Sequence, residues 1–148
     1  MGKTNEVDPP ERLGAIYASE EKLRQAVRNM EARFVRSFKT AMKSETLDSD
    51  TLDELQSNLE WFLTWRLKLS GTPVPMWCDG FKDLEIVDLD SSTYQLRGLG
   101  WVGPETDVSP KLCPVSGTVV LEPTVNALKS YSISIAYDDH SLLLTEAY

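Results

Sequence analysis

The sequence predicts an α+β fold in which an N-terminal two-helix hairpin packs on an antiparallel sheet of about five strands. Two observations support this fold class. Apolar residues recur at helical spacing in the first half of the chain, and after Gly71 the sequence changes to short β-type runs separated by turn residues. Helices followed by a run of strands are typical of α+β proteins, because a parallel sheet requires helices and strands to alternate.

Length and composition predict one domain. The chain has 148 residues, of which 41% are hydrophobic and 26% are charged, as in ordinary globular proteins. Residues 1–17 are polar and contain Pro9 and Pro10, so we interpret them as a tail. We assign residues 18–148 to a single α+β domain.

The sequence also favours a cytoplasmic location. Residues 1–10 contain no apolar segment of the kind found in signal peptides, and no run approaches eighteen apolar residues. Cys78 and Cys113 are thirty-five residues apart, with no cysteine or histidine nearby at metal-ligand spacing. We therefore expect free thiols, no metal site, no cofactor and no membrane segment.

The first helix is predicted over about residues 19–44, with Ser19 as a suitable N-cap. Apolar residues at three- and four-residue steps place one face toward a core. These residues are Leu23, Val27, Met30, Phe34, Phe38 and Ala41. Basic residues fall on the opposite face: Arg28, Arg36, Lys39 and Lys43. The helix is therefore expected to be apolar on one side and basic on the other.

The second helix is predicted over about residues 50–70. Thr51 and Glu54 have the spacing of a capping box, and Gly71 can adopt the left-handed conformation that ends a helix. Its C-terminal half is apolar nearly all round, because Trp61 and Trp65 lie opposite its leucines. A helix buried on two faces needs two partners, so we expect it between the first helix and either the sheet or a second subunit. This excess of apolar surface predicts a homodimer formed through the helical hairpin.

Five strands are predicted at residues 82–89, 93–102, 117–122, 130–137 and 141–147. In the fourth, large apolar residues alternate with small ones, and Asp138, Asp139 and His140 form a tight connection to the fifth, as in an antiparallel hairpin. The first strand has apolar residues on both faces, which predicts a bulge or burial on both sides. Residues 104–114 are expected to form a long connection.

The sequence contains two patterns that resemble a cofactor-binding or a catalytic motif, but neither has the structural context that such a motif requires. Gly98, Gly100 and Gly103 have the spacing of a dinucleotide-binding fingerprint, but the prolines that follow prevent the helix that this site requires. Glycines that allow a bulge or a close approach of another element are the better interpretation. The single histidine, His140, lies in a predicted turn beside two aspartates, and turn formation explains that triplet without a catalytic role.

Charge is strongly segregated along the chain. Residues 22–43 contain seven bases and one acid, Glu31, whereas residues 44–148 contain seventeen acids and six bases, and the whole chain carries a net charge of −8. Nucleic acid is disfavoured as a partner, because most of the molecule would repel phosphates.

The charge distribution and the absence of a catalytic signature favour a non-enzymatic binding protein. We expect an intracellular inhibitor of a basic protein, of the immunity, antitoxin or phage counter-defence type, whose acidic β-half steers the partner. The predicted partner-binding residues are acids of the β-half and tryptophans of the second helix and the loop that follows it: Asp83, Glu85, Asp88, Asp90, Asp138, Asp139, Trp61, Trp65 and Trp77.

Two alternatives remain open at the level of the sequence. One is a small-ligand-binding protein for a nucleotide-like anion, in which bases hold the anionic group and Trp77, Trp101 or Tyr94 stacks on a ring. Its anion-binding candidates are Arg24, Arg28, Arg36, Lys39, Lys43 and Arg97. The other is a small enzyme that uses His140 or a pair of carboxylates.

Overall fold

The computed structural model describes residues 20–43, 48–70, 76–105 and 109–148. It contains two helices and five strands: α1 Glu20–Lys43, α2 Ser49–Leu69, β1 Met76–Asp88, β2 Thr93–Pro104, β3 Lys111–Leu121, β4 Leu128–Tyr137 and β5 His140–Ala147. The predicted tail at residues 1–17 and the predicted caps Ser19 and Gly71 lie outside the described residues.

The predicted α+β fold is confirmed. Each strand pairs antiparallel with the next in the chain, so the sheet order is β1-β2-β3-β4-β5. The two helices pack against each other, and α2 also packs against β1. Both helices cover one face of the sheet: the large side chains of that face are buried, whereas those of the other face are half-buried or exposed.

The apolar face predicted for α1 is the one that packs on the core. Leu23, Val27, Phe34, Phe38 and Ala41 are buried. The predicted basic face is exposed apart from Lys39, which is half-buried. Its Nζ donates to the carbonyl oxygens of Glu122 and Val125, at 2.8 Å each, which ties α1 to the β3–β4 connection.

The capping box predicted at Thr51 is wrong, because α2 begins earlier. Asp48 is the N-cap, and its Oδ1 accepts from the backbone N–H of Thr51 at 2.7 Å. This hydrogen bond holds the pKa of Asp48 below its usual value. Further along α2, Phe62 and Leu67 are fully buried, but Trp61 is 53% exposed. The helix is therefore buried between α1 and the sheet, with one large aromatic side chain facing solvent.

Two strands begin much earlier than predicted. β1 begins at Met76, six residues before the predicted start, because Met76 and Cys78 are buried in the core and not in a loop. β3 begins at Lys111, so the predicted connection over residues 104–114 is wrong. Pro114 is tolerated in β3 because pairing with β4 begins one residue later, at Val115, and no β3–β4 ladder bond is lost at the proline.

The predicted irregularity of the first strand is confirmed as bulges. The pairing of β1 with β2 shifts between Cys78 and Phe81 and again between Lys82 and Glu85. Opposite the second shift, a Cβ added to Gly98 would lie 2.9 Å from the Cα of Leu84. The glycine in β2 therefore permits the close approach of a bulged neighbour.

Candidate functional site

The face of the sheet that neither of the two described helices covers, here called the open face, is the largest candidate site. Strand register and the alternation of side chains assign twenty-two residues to it. These are Trp77, Lys82, Glu85, Val87, Thr93, Gln95, Arg97, Leu99, Trp101, Leu112, Pro114, Ser116, Thr118, Val120, Ser130, Ser132, Ser134, Ala136, Ser141, Leu143, Thr145 and Ala147.

The open face is poor in charge. Three of its residues are charged, where the chain-wide share of 26% would give about six. Two of the three form an ion pair with each other, since Arg97 Nη2 lies 2.9 Å from Glu85 Oε1. The rest of the face is chiefly serine, threonine and apolar side chains, a composition that resembles the centre of a protein interface more than an ordinary surface.

Large apolar side chains gather at one corner of the open face, called the apolar corner. It comprises Trp77, Leu99, Trp101, Leu112 and Pro114. Register places Leu99 directly opposite Pro114 and Trp101 directly opposite Leu112. Trp101 is 39% exposed. The Nε1 of Trp77 is buried and has no hydrogen-bond partner in the described part of the chain. An exposed tryptophan on rigid strands, flanked by aliphatic side chains, is suited to act as an interface anchor.

The six predicted partner-binding acids do not form one patch. Asp83, Glu85 and Asp88 lie on the edge strand β1, and Asp90 lies in the β1–β2 turn. The pair Asp138 and Asp139 lies in the β4–β5 turn, which is at the far side of the sheet and at its opposite end. All six are exposed. Five of them, all except Glu85, lie on the edge strand β1 or in the β1–β2 and β4–β5 turns that border the sheet, and we call these five acids, together with Asp79 of β1, the acidic rim.

Parts of the acidic rim have local structural partners. Asp90 accepts hydrogen bonds from the backbone N–H groups of Ser92 and Thr93, which hold the pKa of Asp90 below its usual value. Asp138 Oδ1 lies 2.5 Å from Lys111 Nζ, and this hydrogen bond raises the pKa of Lys111. Asp138 also has a positive φ of 53°, as a tight hairpin turn requires.

The other two predicted tryptophans lie on the helical side of the molecule. Trp61 projects from α2 into solvent. Trp65 is half-buried, with the Lys68 ammonium 5.9 Å from the centre of its ring. The structure therefore separates Trp61 and Trp65 from Trp77, and the nine predicted residues do not converge on a single surface.

The predicted anion-binding bases also divide into groups. Three surface clefts each contain two bases of α1: Arg24 with Arg28, Arg33 with Arg36, and Lys39 with Lys43. Arg97, by contrast, lies on the open face.

The aromatic residues predicted to stack on a ligand are not beside Arg24 and Arg28. Trp77 and Trp101 face away from the helices, and Tyr94 is buried against Phe38 and lines the cleft of Lys39 and Lys43.

A buried carboxylate, missed as a site residue at the level of the sequence, links α1 to the end of the sheet. Glu31 is only 2% exposed, and the hydroxyl of Tyr148 donates to its Oε2. Arg28 Nε lies 4.0 Å from Glu31 Oε1, and the Arg28 guanidinium lies 4.2 Å from the centre of the Tyr148 ring. Burial raises the pKa of Glu31 from 4.5 to about 6. The feature of the sequence that could have identified Glu31 is its position as the single acid among the seven bases of residues 22–43.

No catalytic cluster surrounds His140 in the described residues. His140 is exposed at the start of β5, and the hydroxyl of the adjacent Ser141 lies 2.7 Å from that of Ser134. Cys113 is buried. Burial also raises the pKa of the Cys78 thiol to about 12, which suppresses the thiolate that nucleophilic chemistry needs. Nor does this part of the chain contain a group of three histidine, cysteine or acidic residues arranged to hold a metal ion.

Comparison of the chain with protein-family models, with curated proteins and with solved structures finds no match. Neither of the two helices in the described ranges is long and apolar enough to cross a membrane.

Proposed function

We propose that the protein is a non-enzymatic binding protein whose open face docks on a protein partner that carries basic residues around the contact. The observation that carries this proposal is the contrast between the charge-poor open face and the acidic rim around it. Protein interfaces have the same anatomy, with charge depleted at the centre and polar groups at the periphery. An inhibitor of the immunity, antitoxin or phage counter-defence type would act in this way.

The size of the open face suits a protein partner. Five strands about 4.8 Å apart and 8 to 13 residues long give a flat surface of roughly 850 Å². Stable interfaces bury about 800 Å² on each partner, and the side chains that project from the sheet add accessible area to this flat estimate. A flat sheet face can also pack against a sheet of the partner, as in β-sandwiches.

Charge complementarity selects a basic partner. The net charge of the chain is −8, and the acidic rim follows the β1 edge of the sheet and includes the β4–β5 turn on the far side. A second copy docked on this face would bring the acidic rims of the two copies together, and like charges at an interface are unfavourable. A partner with basic residues at these positions would instead be attracted during approach, and its association would be faster at low salt.

The two buried free thiols fit a reducing compartment, so we retain the cytoplasm as the proposed location.

The experiment compares two charge reversals. The rim variant carries Asp79→Lys, Asp83→Lys and Asp139→Lys, which spare the turn hydrogen bonds of Asp90 and the ion pair of Asp138. The control carries the same charge change on α2, at Asp50, Asp53 and Glu54, which are all exposed. Association with the partner that co-purifies from the host is measured at low and high salt.

We expect the rim variant to associate at least tenfold more slowly at low salt and the α2 control to be much less affected, because screening limits each charge to a range of about 8 Å. Equal slowing by both variants would assign the effect to net charge and contradict docking on the open face. Recovery of a small anionic metabolite in place of any protein would also contradict the proposal.

A further inference from the structure

A second candidate site lies on the opposite side of the molecule from the open face. A cleft of about 480 Å³ is formed by α1, the end of α2 and the end of β5. Its volume is within the range of small-molecule sites. The lining residues that matter here are Arg24, Val27, Arg28, Leu69, Glu146 and Tyr148.

Arg28 is held in place before any ligand arrives. Its guanidinium stacks 4.2 Å from the centre of the Tyr148 ring, and its Nε lies 4.0 Å from the buried carboxylate of Glu31. Its side chain is nevertheless 53% exposed, and it lines the cleft. A guanidinium stacked on an aromatic ring loses little freedom when it binds a planar anion through two parallel hydrogen bonds.

The remaining walls add a second base and an apolar surface. Arg24 lies one turn before Arg28 on the same face of α1, and its contact with Glu20 is an exposed pair at 3.8 Å, which is weak in water. Val27 and Leu69 supply aliphatic wall, and the carboxylates of Glu21 and Glu146 also line the cleft, where they can accept hydrogen bonds from a ligand. The cleft therefore combines two guanidinium groups with room for an apolar or aromatic group.

We propose that this cleft binds a small organic anion, a carboxylate or a phosphate monoester attached to an apolar or aromatic group, with Arg28 and Arg24 holding the anionic oxygens. This site is independent of the proposed docking on the open face. It differs from the site expected from the sequence, because the stacking residue beside the arginines is Tyr148.

Glu31 should make the binding of this anion depend on pH. The charged groups around it are Arg28 of α1, Arg66 of α2 and Glu146 of β5, with the hydroxyls of Tyr131 and Tyr148. A bound anion competes with the Glu31 carboxylate for Arg28, so binding favours protonation of Glu31. Since Glu31 has a pKa of about 6, the affinity for the anion should rise as the pH falls from 7.5 to 5.5.

The test uses benzoate and phenyl phosphate as probes, with benzyl alcohol as the uncharged control, and measures binding by ligand-observed NMR. The variants are Arg28→Gln and Arg24→Gln in the cleft, and Arg36→Gln on the same helix but outside it. A melting temperature for each variant shows that it is folded. Benzoate is used for the pH series, because a phosphate monoester itself titrates near pH 6.

We expect saturable binding of both anions, at least tenfold weaker binding by Arg28→Gln and Arg24→Gln, and a change of less than twofold for Arg36→Gln. Benzoate affinity should increase about threefold or more from pH 7.5 to 5.5, and Glu31→Gln should abolish that increase. Three results would overturn the proposal: no saturation by either anion at millimolar concentration, equal weakening by Arg36→Gln, or benzyl alcohol binding as tightly as benzoate. A benzoate affinity that does not change with pH in the unmodified protein would overturn the role of Glu31.

Discussion

At the scale of single residues, buried ionisable groups set the pH behaviour of the protein. Glu31 is the clearest case, because it is a carboxylate at the helix–sheet contact with few compensating hydrogen bonds. Its pKa is raised mainly by burial, so the folded state binds this proton more tightly than the unfolded state. The resulting contribution to stability is fully present below pH 4.5 and is lost as the pH rises through about 6.

Replacing Glu31 by glutamine should remove this pH dependence. A shift from 4.5 to about 6 corresponds to about 2 kcal/mol, so the stability of Glu31→Gln relative to the unmodified protein should be about 2 kcal/mol greater at pH 7 than at pH 4.5. Urea denaturation at the two pH values measures the difference. A variant that loses more stability at pH 7 than at pH 4.5 would show that the pairing with Arg28 outweighs burial.

Both thiols should be unreactive in the folded protein. Cys78 and Cys113 are buried, and burial raises the pKa of each thiol. We expect neither to react with a thiol-specific disulfide reagent at pH 8 within minutes, and both to react at once in denaturant. Rapid reaction of either cysteine in the native protein would contradict its position in the core.

At the scale of elements, periodicity predicted the helices and the number of strands better than the strand ends. The face of α1 was readable because its apolar residues repeat over about five turns. The start of β1 and the first half of β3 were not predicted as strand, because Pro73, Pro75 and Pro114 are ordinarily signals of a loop. A strand tolerates proline where the proline nitrogen does not face a paired neighbouring strand. The pairing of strands is a property of the sheet and not of the local sequence.

The close contact of β3 with β4 should make Gly117 intolerant of a side chain. A Cβ at this position would lie 2.5 Å from the carbonyl oxygen of Ser132 and 2.7 Å from the Cα of Ile133. Because both atoms belong to the backbone, we expect Gly117→Ala to lower the free energy of unfolding by about 1–3 kcal/mol. Ser116→Ala, at the neighbouring exposed position, should change it by less than about 0.5 kcal/mol. Equal effects in chemical denaturation would show that β4 can move away.

At the scale of the whole molecule, the segregated charge predicted from the sequence divides between two surfaces. The bases of α1 line clefts on the helical side, and most acids of the β-half lie around the sheet. The sequence identified these acids as partner-binding residues of the β-half, but it could not show that the β1–β2 and β4–β5 turns lie at opposite ends of the sheet. It could not find the open face either, since that surface is assembled from alternate residues of five strands.

The oligomeric state tests which side of the molecule contacts a second copy. We still predict a homodimer formed through the helical hairpin, with the exposed Trp61 at its contact. In light scattering, Trp61→Glu should then be a folded monomer, and Trp101→Glu should remain a dimer. A dimer lost only in Trp101→Glu would assign self-association to the open face, and an unmodified protein that is monomeric at high micromolar concentration would rule out the dimer.

Photo-crosslinking in the native host tests docking through the open face most directly. A photoreactive phenylalanine analogue replaces Trp101 of the apolar corner in one variant and Trp61 of α2 in another, since both tryptophans are exposed. We predict that position 101 forms a discrete adduct with a basic protein, which weakens when the extract is prepared at high salt, and that position 61 does not form this adduct. The same adduct from both positions, or no protein adduct from position 101, would contradict the account.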